Sequence, residues 1–377
     1  MILPPANLGL LGGGQLGRMF TVAARTMGYR VTVLDPDCLS PAAETANVHL
    51  CAPYDDRQAL AELAASCAAI TTEFENAPAA SLDALGDQRT VRPTGKSVAI
   101  AQDRIREKTF LRDNGFPVGP FAVIESAMDL ASAVKSVRFP AVLKTARFGY
   151  DGKGQAKVES ADELERAYAA LRAPACVLEQ FLALQCEVSV VLGRGTDGQT
   201  RCFPIAENQH RHGILDISMV PARIENSLAD SAAKHAMRLA QVLDYIGVLA
   251  VEFFVVAEGL LINEIAPRPH NSGHYTIDAC VTSQFEQQVR TLCGLPLGDT
   301  RLHCPVVMVN LLGDIWPEAG EPPWNVVLSH PDAKLHLYGK REARPGRKMG
   351  HFTVLASTTE RALQEALAIK RRLHAWT

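Results

Sequence analysis

The chain has 377 residues, 47% of them hydrophobic and 21% charged, a globular composition that excludes a disordered protein. Length suggests two to three domains, and at this size roughly three quarters of the chain's surface is buried on folding, so no staple is required. A formal net charge of −3 and 6% aromatics argue against nucleic acid and anionic membrane as partners and leave a small-molecule ligand.

The N-terminal MILPPANLGLLGGG has no basic run and breaks on glycines, unlike a signal peptide. No stretch reaches ~18 consecutive apolar residues, so no membrane span is expected. Nine cysteines (Cys38, Cys51, Cys67, Cys176, Cys186, Cys202, Cys280, Cys293, Cys304) include no CxxC pair. They read as small buried hydrophobes of a reducing, cytoplasmic compartment rather than a disulfide or metal framework.

Along the chain, Asn7–Leu11 reads as a strand, Gly14–Met27 as a helix opened by glycines and Arg30–Leu34 as a second strand ending at Asp35. Asp55–Cys67 reads as a helix and Ala68–Thr72 as a third strand. This is the βαβαβ rhythm of a parallel sheet wound with helices. Gly12, Gly14 and Gly17 satisfy G-x-G-x-x-G between strand and helix, where backbone N–H groups and the helix dipole suit a phosphate. With Asp35 ending the second strand, the unit reads most directly as dinucleotide-binding. The motif alone leaves open a nicotinamide cofactor, the phosphate of another ligand, or tight packing.

A helical run from about Thr94 to Asn114 precedes strands at Ala141–Thr145 and Gln155–Val158, which flank the loop ARFGYDGKG. Because a strand follows it, this loop is no P-loop; its glycines and Lys153 suit a lid over phosphates, with an ordinary long turn as the alternative. Lys144 closes the first of these strands. Strands at Cys176–Gln180 and Glu187–Leu192 follow, with Glu179 and Gln180 placed to meet a purine edge and Glu187 a ribose. After a helix at Leu228–Tyr245, Val248–Val256 and Leu260–Ile265 bracket a three-residue loop centred on Glu258.

In a register pivoting on Glu258, Glu252 and Glu264 lie opposite each other, with Phe254 and Val256 facing Ile262 and Leu260. Opposed carboxylates repel unless a cation sits between them, and magnesium takes one or two carboxylates plus phosphate oxygens. A slipped register would instead leave both acids solvated. Asn263 adjoins the pair. Arg268, His270 and Asn271 in NEIAPRPHNSGH, with ENQHRHG upstream, suit an oxyanion better than zinc. GKREARPGRKMGH, from Gly339 to His351, carries five cations and one acid. It reads as a solvated loop or, through Lys340 and Arg347, as a clamp for a phosphomonoester.

The glycine lid, strand-end lysine and paired glutamates together resemble the ATP-grasp superfamily. GGGQLGRM, TTEFEN, KTARFGYDGKGQ, EQF, NEIAPRPHNSGH and LHLYGKREARPGRKMGH are similar, in order and spacing, to the 5-(carboxyamino)imidazole ribonucleotide synthases of purine biosynthesis. The resemblance implies an α/β ATP-grasp fold: a Rossmann-like N-terminal domain (1–103), an ATP-grasp domain with the lid (104–298) and a small C-terminal domain (299–377).

It further implies that Arg104, Lys144, the lid (Gly149, Tyr150, Asp151, Gly152, Lys153, Gly154, Gln155), Glu179, Gln180, Phe181, Leu182, Glu187, His210, Asn263 and Glu264 hold ATP, and that Glu252 and Glu264 hold Mg2+. Gln15, Glu73, Tyr150, Lys153, Lys340 and Arg347 would hold 5-aminoimidazole ribonucleotide. Arg268, His270 and Asn271 would receive bicarbonate, with Lys144 neutralising the transferred phosphoryl group. Lys153 stands where the family often has arginine, and lysine, a point charge, does not supply bidentate bonding.

The implied reaction is ATP-dependent carboxylation of the ribonucleotide through carboxyphosphate, in a cytoplasmic homodimer. The alternatives are another ATP-grasp ligase (a formate-using glycinamide ribonucleotide enzyme or a biotin carboxylase), a nicotinamide oxidoreductase, or a non-catalytic nucleotide-binding subunit.

Overall fold

The computed structural model describes residues 1–149, 153–172, 175–318 and 320–375. The first sheet is parallel, in the order β3 (Val48–Leu50), β2 (Arg30–Leu34), β1 (Asn7–Leu11), β4 (Ala69–Thr72), β5 (Thr90–Val91). Near-continuous apolar runs form β1, β2 and β4 because helices cover both faces. One of them, Gln15–Thr26, buries Leu16, Phe20 and Ala24.

The expected run from Thr94 to Asn114 is two helices, Gly95–Ala101 and Arg104–Asp113. Asp103 breaks it by capping the second, its Oδ1 accepting from Ile105 N at 3.0 Å.

A four-stranded antiparallel sheet, β6 (Phe121–Ile124), β9 (Cys176–Gln180), β7 (Ala141–Thr145), β8 (Gln155–Val158), forms the small lobe over the cleft. The largest sheet has nine strands. It runs β15 (Gly259–Ala266), β14 (Gly247–Val256), β10 (Cys186–Arg194), β12 (Ala206–Arg211), β13 (Ile214–Val220), β16 (Val306–Leu312), β18 (Lys348–Leu355), β17 (Ala333–Leu337), with β11 (Thr200–Cys202) beside β10. The C-terminal strands therefore extend the central sheet instead of making one of their own. The helix Thr359–His374 covers that end, burying Ala362, Ala366, Ile369 and Leu373.

The helix Gln284–Cys293 joins the N-terminal sheet to the central one. Phe285, Val289 and Leu292 pack with Leu16 and Phe20, each worth roughly 1.5–3 kcal/mol when fully buried. Its buried Gln288 donates to Thr71 Oγ1 at 2.7 Å and accepts from Val248 N at 2.7 Å. The two sheets are thus held in one orientation across the cleft.

One expectation needs correcting. A disulfide joins Cys38 and Cys51, with Cα atoms 5.1 Å apart. Both residues are exposed, following β2 and β3 on neighbouring connections rather than lying inside apolar strands, so burial does not sequester them. The other seven cysteines are unbridged and buried or half-buried. Among the described residues no helix is long and apolar enough to cross a membrane.

Candidate active site

A cleft of about 810 Å³ lies between the small lobe, the edge of the nine-stranded sheet and the N-terminal domain. Its floor is the β14–β15 hairpin. Glu252 does pair with Glu264, by a route the sequence did not suggest. The turn has two residues, Ala257 and Glu258, which pairs Val255 with Leu260 and Phe253 with Ile262. A bulge at Asn263 then restores the expected glutamate pairing. Leu260 and Ile262 consequently face the apolar core with Phe253 and Val255, while Glu252, Phe254 and Glu264 face the cleft.

Hydrogen-bond donors flank the pair. Arg104 Nη1 lies 3.1 Å from Glu264 Oε2, and His270 Nε2 lies 3.3 Å from Glu252 Oε1. Burial and the neighbouring Glu264 push the Glu252 carboxyl up. Desolvation acts on Glu264 in the same sense, but Arg104 and Lys144 hold it down.

Lys144, at the end of β7, lies 3.1 Å from Glu179 Oε2; Lys108 is 3.3 Å from the same oxygen and donates to Asn263 O at 2.7 Å. Burial raises Glu179, yet the two lysines bring it to about 2. One oxygen of Glu179, Oε2, therefore positions both lysines, while Oε1 is buried without a hydrogen-bond partner. Gln180, Phe181 and Leu182 line the cleft beyond it. Glu187 Oε2 and His210 Nδ1 are 3.0 Å apart on β10 and β12. Burial lowers the His210 imidazole, but Glu187 and Glu252 outweigh it and the net shift is upward.

On the far wall, Arg268 pairs with Glu75 of the N-terminal domain. Burial would raise Glu75; the guanidinium brings it to about 2. Asn271 exchanges two hydrogen bonds with Asn310, at 3.0 and 2.6 Å.

The glycine loop holds no open anion site. Glu73 Oε1 accepts from Gly14 N at 2.7 Å and Oε2 from Gly17 N at 2.8 Å, so a carboxylate of this chain occupies the helix N-terminus. Gly12 has φ +104°, and a Cβ there would lie 2.3 Å from Glu73 Cγ. Asp35 is equally committed, accepting from Gly13 N at 2.6 Å and Tyr54 O–H at 2.5 Å. A pyrophosphate has no room at this turn, which overturns the dinucleotide reading and the nicotinamide alternative with it.

The chain matches the ATP-grasp domain over residues 109–285, the ribonucleotide synthetase preATP-grasp domain over 6–102 and the phosphoribosylaminoimidazole carboxylase C-terminal domain over 306–365. It is 45% identical to the N5-carboxyaminoimidazole ribonucleotide synthase of Bacillus subtilis over 97% of this chain and 95% of that protein. The Brucella melitensis enzyme of the same name is also 45% identical, over 94% and 98%. This chain belongs to the N5-carboxyaminoimidazole ribonucleotide synthase family.

Two solved structures of the family superpose closely. A synthetase crystallised with ADP has a TM-score of 0.92 at 42% identity, covering 99% of this chain and 98% of that one. The Aspergillus clavatus synthase, in complex with ADP and 5-aminoimidazole ribonucleotide, has a TM-score of 0.89 at 29% identity over 98% and 99%.

The fold brings Arg104, Lys144, Gly149, Gln155, Glu179, Gln180, Phe181, Leu182, Glu187, His210, Glu252, Asn263, Glu264, Arg268, His270 and Asn271 to this family cleft. Tyr150, Asp151 and Gly152 lie outside the described residues. Gln15, Glu73, Lys153, Gly154, Lys340 and Arg347 are not among its lining. In the C-terminal loop, Lys340 Nζ donates to Lys348 O at 2.7 Å, and Arg347 Nη1 donates to Glu342 O at 2.9 Å.

Sequence reasoning missed four charged residues here. Glu75 and Lys348 sit inside the TTEFEN and RKMGH blocks and line the cleft. Lys108 and the cleft-lining Glu107, whose Oε1 accepts from Ile265 N at 2.5 Å, are buried on the helix Arg104–Asp113. Burial and the nearby Glu264 push Glu107 up to about 8. Their only sequence signal was a charged pair within a helix, which usually means a solvated face.

Proposed function

We propose that the protein catalyses ATP- and bicarbonate-dependent carboxylation of 5-aminoimidazole ribonucleotide to its N5-carboxy derivative, releasing ADP and phosphate. The observation that carries this is the opposed, half-buried pair Glu252 and Glu264 set between Lys144 and the Arg268–His270 wall. The relatives solved with ADP and with the ribonucleotide support the same reading.

Two opposed carboxylates in the cleft, one of them driven toward protonation by desolvation and by the other, fit a divalent cation that takes its remaining ligands from phosphates and water. Glu252 and Glu264 would hold Mg2+, which would supply charge neutralisation at the phosphoryl oxygens. Lys144, Arg104 and the lid orient the triphosphate, with Gln180, Phe181, Leu182, Glu187 and His210 around the nucleoside.

Arg268 and His270 present donors to bicarbonate, whose oxygen attacks the γ-phosphorus as ADP leaves. Carboxyphosphate then yields carbon dioxide and phosphate inside the closed cleft, away from water. The exocyclic amine attacks the carbon and loses a proton. Gln15, Glu73, Tyr150 and Lys153 would position the ribonucleotide, with its phosphate on Lys340 and Arg347. Domain limits at 103/104 and 298/299 and a cytoplasmic homodimer complete the proposal.

The test is phosphate release from ATP with bicarbonate, with and without 5-aminoimidazole ribonucleotide. Stimulation by the ribonucleotide is expected; its absence would sink the assignment.

A further inference from the structure

Behind His270 the sheet carries a row of neutral polar side chains sealed from solvent. On β13, Ser218 donates to Asn208 Oδ1 at 2.8 Å; on β12, Asn208 Nδ2 donates to Ser189 Oγ at 2.9 Å. Ser189, on β10, donates to Ser272 Oγ at 2.7 Å, and Ser272 Oγ lies 2.9 Å from His270 Nδ1. Ser189 is 1% exposed, Asn208 4%, and Ser218 and Ser272 0%. None belongs to the substrate-contacting set above, yet the row ends on a histidine of the site.

The row has a direction. Ser189 spends its one hydroxyl proton on Ser272 Oγ, which leaves the Ser272 proton free to reach His270 Nδ1. A second contact fixes that direction. The backbone N–H of Ser272, which can only donate, points at Nδ1 from 3.3 Å. Two donors converging on Nδ1 require a lone pair there, and a neutral imidazole then carries its proton on Nε2. That nitrogen faces Glu252 and the cleft.

We propose that Ser272, supported by Ser189 and Asn208, is a positioning residue that locks His270 as the Nε2–H tautomer, so that a donor and not a lone pair meets the bicarbonate-derived oxyanion. The inference rests on the placement of bicarbonate at Arg268 and His270 proposed above. The usual orienter of a functional histidine is a carboxylate, which also favours the charged ring. A chain of hydroxyls and one amide orients the ring without charging it. His270 accordingly acts as a fixed hydrogen-bond donor and not as the base that takes the amine proton.

The test reads the tautomer directly. Long-range 1H–15N spectra of the full-length protein labelled with 15N-histidine, with His270 assigned by its loss in His270→Gln, should show Nδ1 unprotonated and Nε2 protonated. A protonated Nδ1 in the unmutated protein overturns the inference. Ser272→Ala should lower kcat for ribonucleotide-stimulated phosphate release at least tenfold, leave the KM for ATP within twofold, and shift His270 toward mixed tautomers.

Should Ser272→Ala fail to fold, Ser189→Ala, one step further back, should show the same shift with a kcat loss of at least threefold. An unchanged kcat and spectrum in the folded variant overturns the inference. Because the spectrum is recorded without substrates, it stands even if no ribonucleotide-stimulated turnover is found. Turnover together with an Nδ1–H ring would remove only this inference.

Discussion

Replacing Glu179 by glutamine deletes the one carboxylate that Lys108 and Lys144 share, at 3.3 and 3.1 Å. Lys108 is almost wholly buried, with Asn263 O as its other acceptor, so the substitution leaves two ammonium groups facing an amide inside the small lobe. The carboxyl is held at about 2 against an ordinary 4.5; at about 1.4 kcal/mol per pH unit, that gap is worth roughly 3 kcal/mol of stability. Breaking a buried ion pair by removing one partner typically costs about 3–5 kcal/mol, in agreement.

The folded-state value is the depressed one, so this stabilisation is fully present above the ordinary carboxylate range and disappears as pH falls through about 2. Urea denaturation followed by circular dichroism should therefore show Glu179→Gln about 3 kcal/mol less stable than the parent at pH 7. By pH 3 the difference should be on the order of 1.5 kcal/mol. In parallel, the KM for ATP should rise at least tenfold, because Lys144 loses its orienting partner. A loss under about 1 kcal/mol at pH 7, or a difference equal at both pH values, would refute the claim that Glu179 is held ionised by these two lysines.

Three further outcomes are expected. Glu264→Gln should abolish ATP turnover, and adding Mg2+ should no longer alter nucleotide affinity by calorimetry; near-normal activity would refute its role as a metal ligand. Arg347→Ala should raise the KM for the ribonucleotide at least tenfold with the KM for ATP within twofold, and equal losses in both would argue against a phosphate clamp in the C-terminal loop. In Gly14→Ala the new Cβ would meet Glu73 Oε1 at 2.5 Å, so stability should fall by roughly 1–3 kcal/mol and ribonucleotide binding should weaken. An unchanged thermal midpoint and KM would show that Glu73 is not seated as described.

Local chemistry made much of the molecule legible. β1, β2, β7 and β9 begin and end on the residues that apolar runs and flanking turn formers mark out, because those signals act within a few positions of the chain. The Glu252–Glu264 pairing was legible for a related reason: both acids lie six residues from Glu258, within the hairpin's reach. Even there the details came from packing. The turn is one residue shorter than expected, and the bulge at Asn263 compensates, since the apolar face of β14 and β15 must meet the helix Asn226–Val242.

Chain-local signals and motif resemblance were enough for the ATP-grasp class, for most strand limits and for the Glu252–Glu264 pair with Arg104, Lys144 and Arg268 around it, but not for Glu75, Glu107 or Lys348. Only the tertiary structure decided what those charges do to one another. The glycine-rich turn looks the same in sequence whether it cradles a phosphate or a carboxylate of its own chain. What separates the two is Glu73, nearly sixty residues away, placed against Gly14 and Gly17 by the parallel pairing of β1 with β4. Glu75 meets Arg268, and Ser189 meets Ser272, across still longer stretches of chain. Burial then magnifies each encounter, because a charge or hydroxyl withdrawn from water must find its partner within the fold.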